Sequence, residues 1–300
     1  MRTLAAVPRL LTPLALLAAA LALVLPSATL AGHSDLLLAL LVLATALGIS
    51  FVDLARLRDH AREVVALSLL PLVVLAGTAW LLARPFSPQI RDGLLAVGLS
   101  SSEVAAVGLV AIAGADATIA LGAVTGSLIL AALAGPVAIA QLSGSAVHVS
   151  SAHLLGRFAL VVLLPLAAGV AARSSRHLLP RLAAADAARE GFAALTVVVL
   201  VYAALSGTQG AHHLGAAVLA SVAFLVVSGC LAALWRRASA TRASSVPGAL
   251  SIAMRDFAVA AALATQAFGV GAGAVPGVYG VLMLVAGTIA ASRLSVRPSA

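Results

Sequence analysis

The sequence predicts an all-α membrane protein of about ten transmembrane helices, built as two inverted five-helix repeats, with helices 4 and 9 broken where they cross. Three observations predict it. Hydrophobic residues make up 62% of the 300 positions and charged residues only 9%, against about half and a quarter in soluble domains. The apolar residues gather into about ten runs of near 20 residues, each long enough to span a bilayer and parted by charge, Gly and Pro. A shift of 155 positions lays Gly93 on Gly248, Val104-Ala105-Ala106 on Val259-Ala260-Ala261, and Gly114 on Gly269, overlaying the fourth and ninth runs. Halves of five spans each must insert in opposite senses, which is the arrangement of inverted repeats.

In order, the spans fall near 10–30, 35–55, 64–83, 90–112 and 117–140, then 154–172, 191–207, 213–235, 247–268 and 274–292. Repeat 1 covers about 10–140 and repeat 2 about 154–292. Connections are short, so 1–300 reads as a single integral membrane domain. The first span, with Arg2 and Arg9 before it and P-S-A-T-L-A-G after it, fits either a retained helix or a cleaved signal.

All 18 basic residues are arginines. With ten spans, Arg84, Arg91 and Arg157 lie on one side, while the loops on the other carry fourteen, among them Arg56, Arg173, Arg236 and Arg293. Positive residues stay inside, so the chain is expected in the cell membrane with both termini cytoplasmic. The net charge of +8 is then topology signal and contact with the anionic lipid bilayer, not a nucleic-acid surface. The segment from Arg173 to Glu190 reads as a basic amphipathic connector on the membrane. The single Cys230 excludes an intrachain disulfide and reads as inert packing.

The stretch from Asp92 to Pro136 carries the chemistry. It is apolar enough for a bilayer, yet Ser100, Ser101, Ser102, Glu103 and Asp116 interrupt it, with Thr125 and Ser127 further on. An intramembrane carboxylate is expensive unless it faces a cavity or a partner. Glycines beside the cluster let a helix unwind, and unwound backbone survives at membrane depth only inside protein or along a wet cavity. The ninth span repeats the pattern with Ser251, Arg255, Asp256 and Gln266. A guanidinium stays charged, so Arg255 needs a partner. Inverted halves bring broken helices together at the midplane, which predicts Glu103 and Arg255 as neighbours. Two readings of Arg255 follow. Either it closes an internal charge pair with Glu103 or Asp256, or it faces the cavity and holds the carboxylate of an anionic substrate.

Plainer readings stand beside these. The serines can return hydrogen bonds to the preceding helical turn. Asp116 can sit in an inter-span turn near the headgroups, and Thr125, Ser127, Thr265 and Gln266 can act as interhelical glue. Asp35 and Asp53 read as interface markers at the ends of span two. His148 and His153 fall in the loop between spans five and six, and His212 and His213 in the turn before span eight, without the i, i+4 spacing of a metal pair. No nucleophile with its base and no metal cluster is legible, so neither an enzyme nor a cofactor is expected.

Two stretches resemble the bile acid:sodium symporter family. They are A-G-A-D at 113–116 with Thr125, Ser127 and Pro136, and S-I-A-M-R-D-F-A-V-A-A-A-L-A-T-Q-A-F-G with A-V-P-G-V-Y-G-V-L-M-L-V-A-G-T-I-A in spans nine and ten. The resemblance implies a ten-helix fold with panel helices 1, 2, 6 and 7 and core helices 3–5 and 8–10. It also implies transport of small organic anions, usually coupled to sodium. The family's ninth-span pattern of Glu, any, Gly, any, Gln, Asn meets Ser251, Ile252, Ala253, Met254, Arg255 and Asp256 here. The glutamate and glutamine that help bind sodium there are a serine and an arginine here, which leaves Na+ coupling, H+ coupling and uncoupled transport all open. The expected function is a secondary transporter working by alternating access; the alternatives are a channel and a polytopic protein without transport.

Overall fold

Apolar side chains dominate every long segment, and backbone amides in lipid must be satisfied within the segment, so helices are the structure such a chain can form. A computed structural model describes residues 10–113, 115–143, 150–206, 211–239 and 242–294, and among them there are helices and turns but no strand. Arg2, Arg9, Gly114, His148 and Arg297 lie outside the described residues.

The helices are α1 Leu11–Val24, α2 Ala28–Ala31, α3 Ser34–Ala46, α4 Phe51–Arg56, α5 Ala61–Ala83, α6 Pro88–Leu99, α7 Ala105–Ile112 and α8 Ala117–Leu142. They continue as α9 Ser151–Phe158, α10 Leu164–Ser174, α11 Leu179–Ala184, α12 Asp186–Ser206, α13 Ala211–Ala238, α14 Arg242–Ala253, α15 Phe257–Phe268 and α16 Ala274–Leu294. Six stretches among the described residues are long and apolar enough to cross a membrane: Phe51–Ala83, Ala117–Leu142, Ser151–Ser174, Asp186–Ser206, Leu214–Ala238 and Val270–Ala290. The chain is a multi-pass membrane protein.

Several boundaries differ from the sequence reading, each for a local reason. The second span ends at Ala46 rather than near 55, because Ser50 and Asp53 close a capping box that starts α4 afresh. The first span is α1 and then a separate turn of helix, α2, capped by Ser27. Between α9 and α10 the chain makes a π turn over Ala159–Leu163, next to Pro165, whose missing N–H cannot close an ordinary helical bond. His153 belongs to α9 rather than to a loop, and His212 and His213 lie on the first turn of α13. Cys230 is exposed on α13 instead of packed inside.

The helices pack so that α12 lies against α1 and α3, and α3 against α10, while α5 packs on α6 and α8, and α13 on α14 and α16. Close approach depends on small residues. At Gly98 an added Cβ would stand 2.6 Å from the Cβ of Ala79 and 2.7 Å from the carbonyl oxygen of Leu75, so α6 touches α5 backbone to backbone. The contact lies one residue before α6 ends, at Leu99, at the head of the polar cluster.

Candidate functional site

Two helices stop short and face each other. α6 ends at Leu99 and α7 begins at Ala105; α14 ends at Ala253 and α15 begins at Phe257. The extended residues between them meet as an antiparallel bridge with Ser102 opposite Arg255. The Asp256 N–H donates to the Ser101 carbonyl at 2.8 Å, and the Glu103 N–H to the Met254 carbonyl at 3.0 Å. Each unwound segment thus satisfies backbone groups that its own helix has released, which is the condition for irregular backbone at this depth.

Side chains complete the join. The Ser102 hydroxyl donates to the Ser251 carbonyl at 2.9 Å, and the Ser102 N–H donates to the Ser127 hydroxyl of α8 at 2.9 Å. The Arg255 N–H donates to the Tyr279 hydroxyl at 3.1 Å, which donates in turn to the Ala253 carbonyl at 3.2 Å. Asp256 caps α15, accepting from the N–H groups of Ala258 at 2.9 Å and Val259 at 3.0 Å. Ser100, Ser101, Ser102, Ser127, Ser251 and Arg255 are each 0% exposed, and Glu103 and Asp256 each 3%.

The expected charge pair between Glu103 and Arg255 does not form. No ion pair within 4.0 Å involves Arg255 among the described residues, and none of its three guanidinium nitrogens has a hydrogen-bond partner. The alternation of extended backbone explains this. Directly opposed residues share a face and successive residues alternate, so Ser102 and Arg255 share one face of the bridge. Ser101, Glu103, Met254 and Asp256 share the other. The two carboxylates share that face, and the charge of Asp256 acts on Glu103 and on the Arg255 guanidinium alike, without an ion pair within 4.0 Å.

Glu103 opens on a cavity of about 380 Å³ lined also by Thr45, Gly48, Val107, Arg189 and Ala193. One Glu103 carboxylate oxygen, Oε2, has no hydrogen-bond partner. Arg255 does not line this cavity, so in this conformation it cannot hold a substrate there. The arginine that does reach it, Arg189, is already engaged by Asp186 at 3.1 Å, the Ala44 carbonyl at 3.1 Å and Glu190 at 3.4 Å. Arg173 also grips Asp186 with both terminal nitrogens, while α11 in the connector between them buries no residue.

The structure therefore brings together Ser101, Ser102, Glu103, Ser127, Ser251, Arg255 and Asp256. Thr125 lies beside them, lining a small gap with Asp256. Two expected members sit elsewhere. Asp116 is the N-cap of α8, accepting from the Thr118 N–H at 2.8 Å and lying 3.7 Å from His60. Gln266 lies near the far end of α15, where its Nε2 donates to Asp35 at 2.7 Å. Tyr279 was not legible as a member. Its signal was its rarity, one of two tyrosines in the chain placed in an apolar span, where a buried hydroxyl needs a partner. Among the described residues no group of three or more His, Cys, Asp or Glu could hold a metal ion.

Compared with known families, the chain matches the model of the sodium bile acid symporter family over residues 35–213, more than half of its length. No curated protein matches it. The matched region holds the first broken helix and stops before α14, so the second break stands outside it, on the motif likeness alone. On a match that runs from α3 into α13, the chain belongs to the sodium bile acid symporter family, whose members are membrane transporters and not enzymes.

Proposed function

We propose that this protein is a secondary active transporter that moves small organic anions across the cytoplasmic membrane by alternating access. In this reading ten spans form two inverted repeats, with both termini cytoplasmic. Helices 1, 2, 6 and 7 make a panel against a core of the other six. The observation that carries it is the antiparallel tie between two interrupted helices, buried at the head of a cavity of a size suited to small ligands.

The acid pair supplies the coupling. An anion about 4 Å from one ionised carboxylate is repelled by about 4 kcal/mol at an effective dielectric of about 20, roughly a thousandfold in affinity. Glu103, open to the cavity with Asp256 on the same face, would turn an anionic solute away unless a cation, sodium or a proton, sits there first. Obligatory symport follows from that order. Arg255, on the other face, limits the cost of burying two like charges without occupying the place of the cation.

The test is counterflow in proteoliposomes with a panel of small carboxylic acids, at two sodium concentrations and two pH values. Trans-stimulated exchange that depends on one of the two cations is the expected result. Solute-independent conductance would make the protein a channel, and no exchange of any acid would leave it without a transport role.

A further inference from the structure

α3 and α15 each connect two places. On α3, Asp35 stands at the first turn, and Thr45, with Gly48 just beyond the helix, at the other end beside the cavity. On α15, Asp256 at the start belongs to the bridge and Gln266 stands ten residues on. At a rise of 1.5 Å per residue, both separations are about 15 Å. The two distant ends meet. Asp35 Oδ1 accepts from Gln266 Nε2 at 2.7 Å, and Asp35 Oδ2 pairs with Arg157 Nη2 of α9 at 2.7 Å. Beside them the hydroxyls of Ser34 and Thr265 lie 3.4 Å apart. A single carboxylate thus ties three helices at one end of the molecule, while at the other end of α3 the wall stands open as the cavity.

We propose that Asp35, Arg157 and Gln266 form a latch that holds the transporter closed on the side away from the cavity, and that its release accompanies opening there. The inference rests on the alternating-access reading. Its chemistry suits a gate. The Arg157 side chain is 52% exposed and that of Asp35 20%, so water can replace each contact as the helices part, whereas the buried bridge at the start of α15 stays tied. Asp35 accepts from both partners through different oxygens, so losing its charge weakens both contacts at once.

Thiol labelling in nanodiscs tests this without any solute, in a Cys230→Ser background. One reporter is Ala193→Cys on the cavity wall. The other is Ala262→Cys, fully buried one helical turn inward of Gln266 on the same face of α15. With the latch intact, the cysteine at 193 reacts with a maleimide and the one at 262 is protected. Asp35→Asn should speed labelling at 262 by up to about tenfold, the equilibrium shift expected from losing one charge-assisted hydrogen bond, and slow it at 193 by a smaller factor, because 193 reports the state that still holds most of the population. Arg157→Gln should shift both in the same sense, and the swap Asp35→Arg with Arg157→Asp should restore the parent pattern. Unchanged rates at both reporters overturn the latch. So do rates that rise at both, since that is loosening and not exchange between states. Counterflow without the labelling shift sinks the latch alone, and the labelling shift without counterflow of any acid sinks the transport reading alone.

Discussion

Ser102 and Arg255, more than 150 positions apart, stand directly opposite each other across a bridge closed by two backbone hydrogen bonds. The pairing decides which charges share a face, and that in turn decides what the cavity can accept. Glu103 and Asp256 fall on one face and Arg255 on the other, because side chains alternate along extended backbone.

The acid pair should respond to cations. Adding the coupling cation at about 100 times its Kd should stabilise the folded protein by about 2.7 kcal/mol. Glu103→Gln should remove most of that gain. Thermal unfolding in detergent with sodium varied at fixed pH, then pH varied without sodium, measures it. A variant that keeps the full shift would place the cation elsewhere.

Arg255→Met keeps length and apolar bulk while removing a buried charge that has no hydrogen-bond partner. The variant should be less stable than wild type, since it leaves Glu103 and Asp256 buried without the nearby guanidinium, and removing one member of a buried set of charges costs about 3–5 kcal/mol. Uptake should fall at least about tenfold, the equivalent of 1.4 kcal/mol, because the acid face then lacks its counter-charge. Wild-type uptake by this variant would show that the guanidinium has no part in transport.

The two serines of the join should differ in cost. Ser102→Ala removes a hydroxyl that donates to the Ser251 carbonyl, a loss of about 1 kcal/mol. Ser127→Ala instead strands the buried Ser102 N–H, a desolvation cost of about 1–3 kcal/mol. Unfolding midpoints in the order wild type, Ser102→Ala, Ser127→Ala are expected, and the reverse order would mean that the Ser102 N–H finds another acceptor.

Asp116→Ala should behave as a lost helix cap. The substitution should cost about 1 kcal/mol of stability and leave solute affinity and cation response unchanged, since Asp116 lies with His60 and Thr118. Altered cation dependence in this variant would return Asp116 to the site.

Gly98→Val should disturb the site without touching it. Its Cβ would enter the space of Ala79 and the Leu75 carbonyl, where overpacking costs about 1–3 kcal/mol, and α6 would shift relative to α5. Reduced uptake accompanied by reduced thermal stability is expected, and full stability would mean that the α5–α6 contact is softer than its distances imply.

Composition and the spacing of apolar runs were enough to determine a helical, multi-pass membrane protein, because lipid leaves a backbone no other local solution. The interrupted stretches around Glu103 and Arg255 were legible for a related reason: polar residues inside apolar spans must be satisfied somewhere. The sequence could not decide which side chains those segments turn toward one another. The expected Glu103–Arg255 pair failed because facing across the bridge depends on register, and a shift of one residue exchanges the faces. Gln266 and Asp35 looked like glue and an interface marker, since their contact joins helices more than 200 residues apart. Only the packing of α3, α9 and α15 makes one carboxylate common to all three.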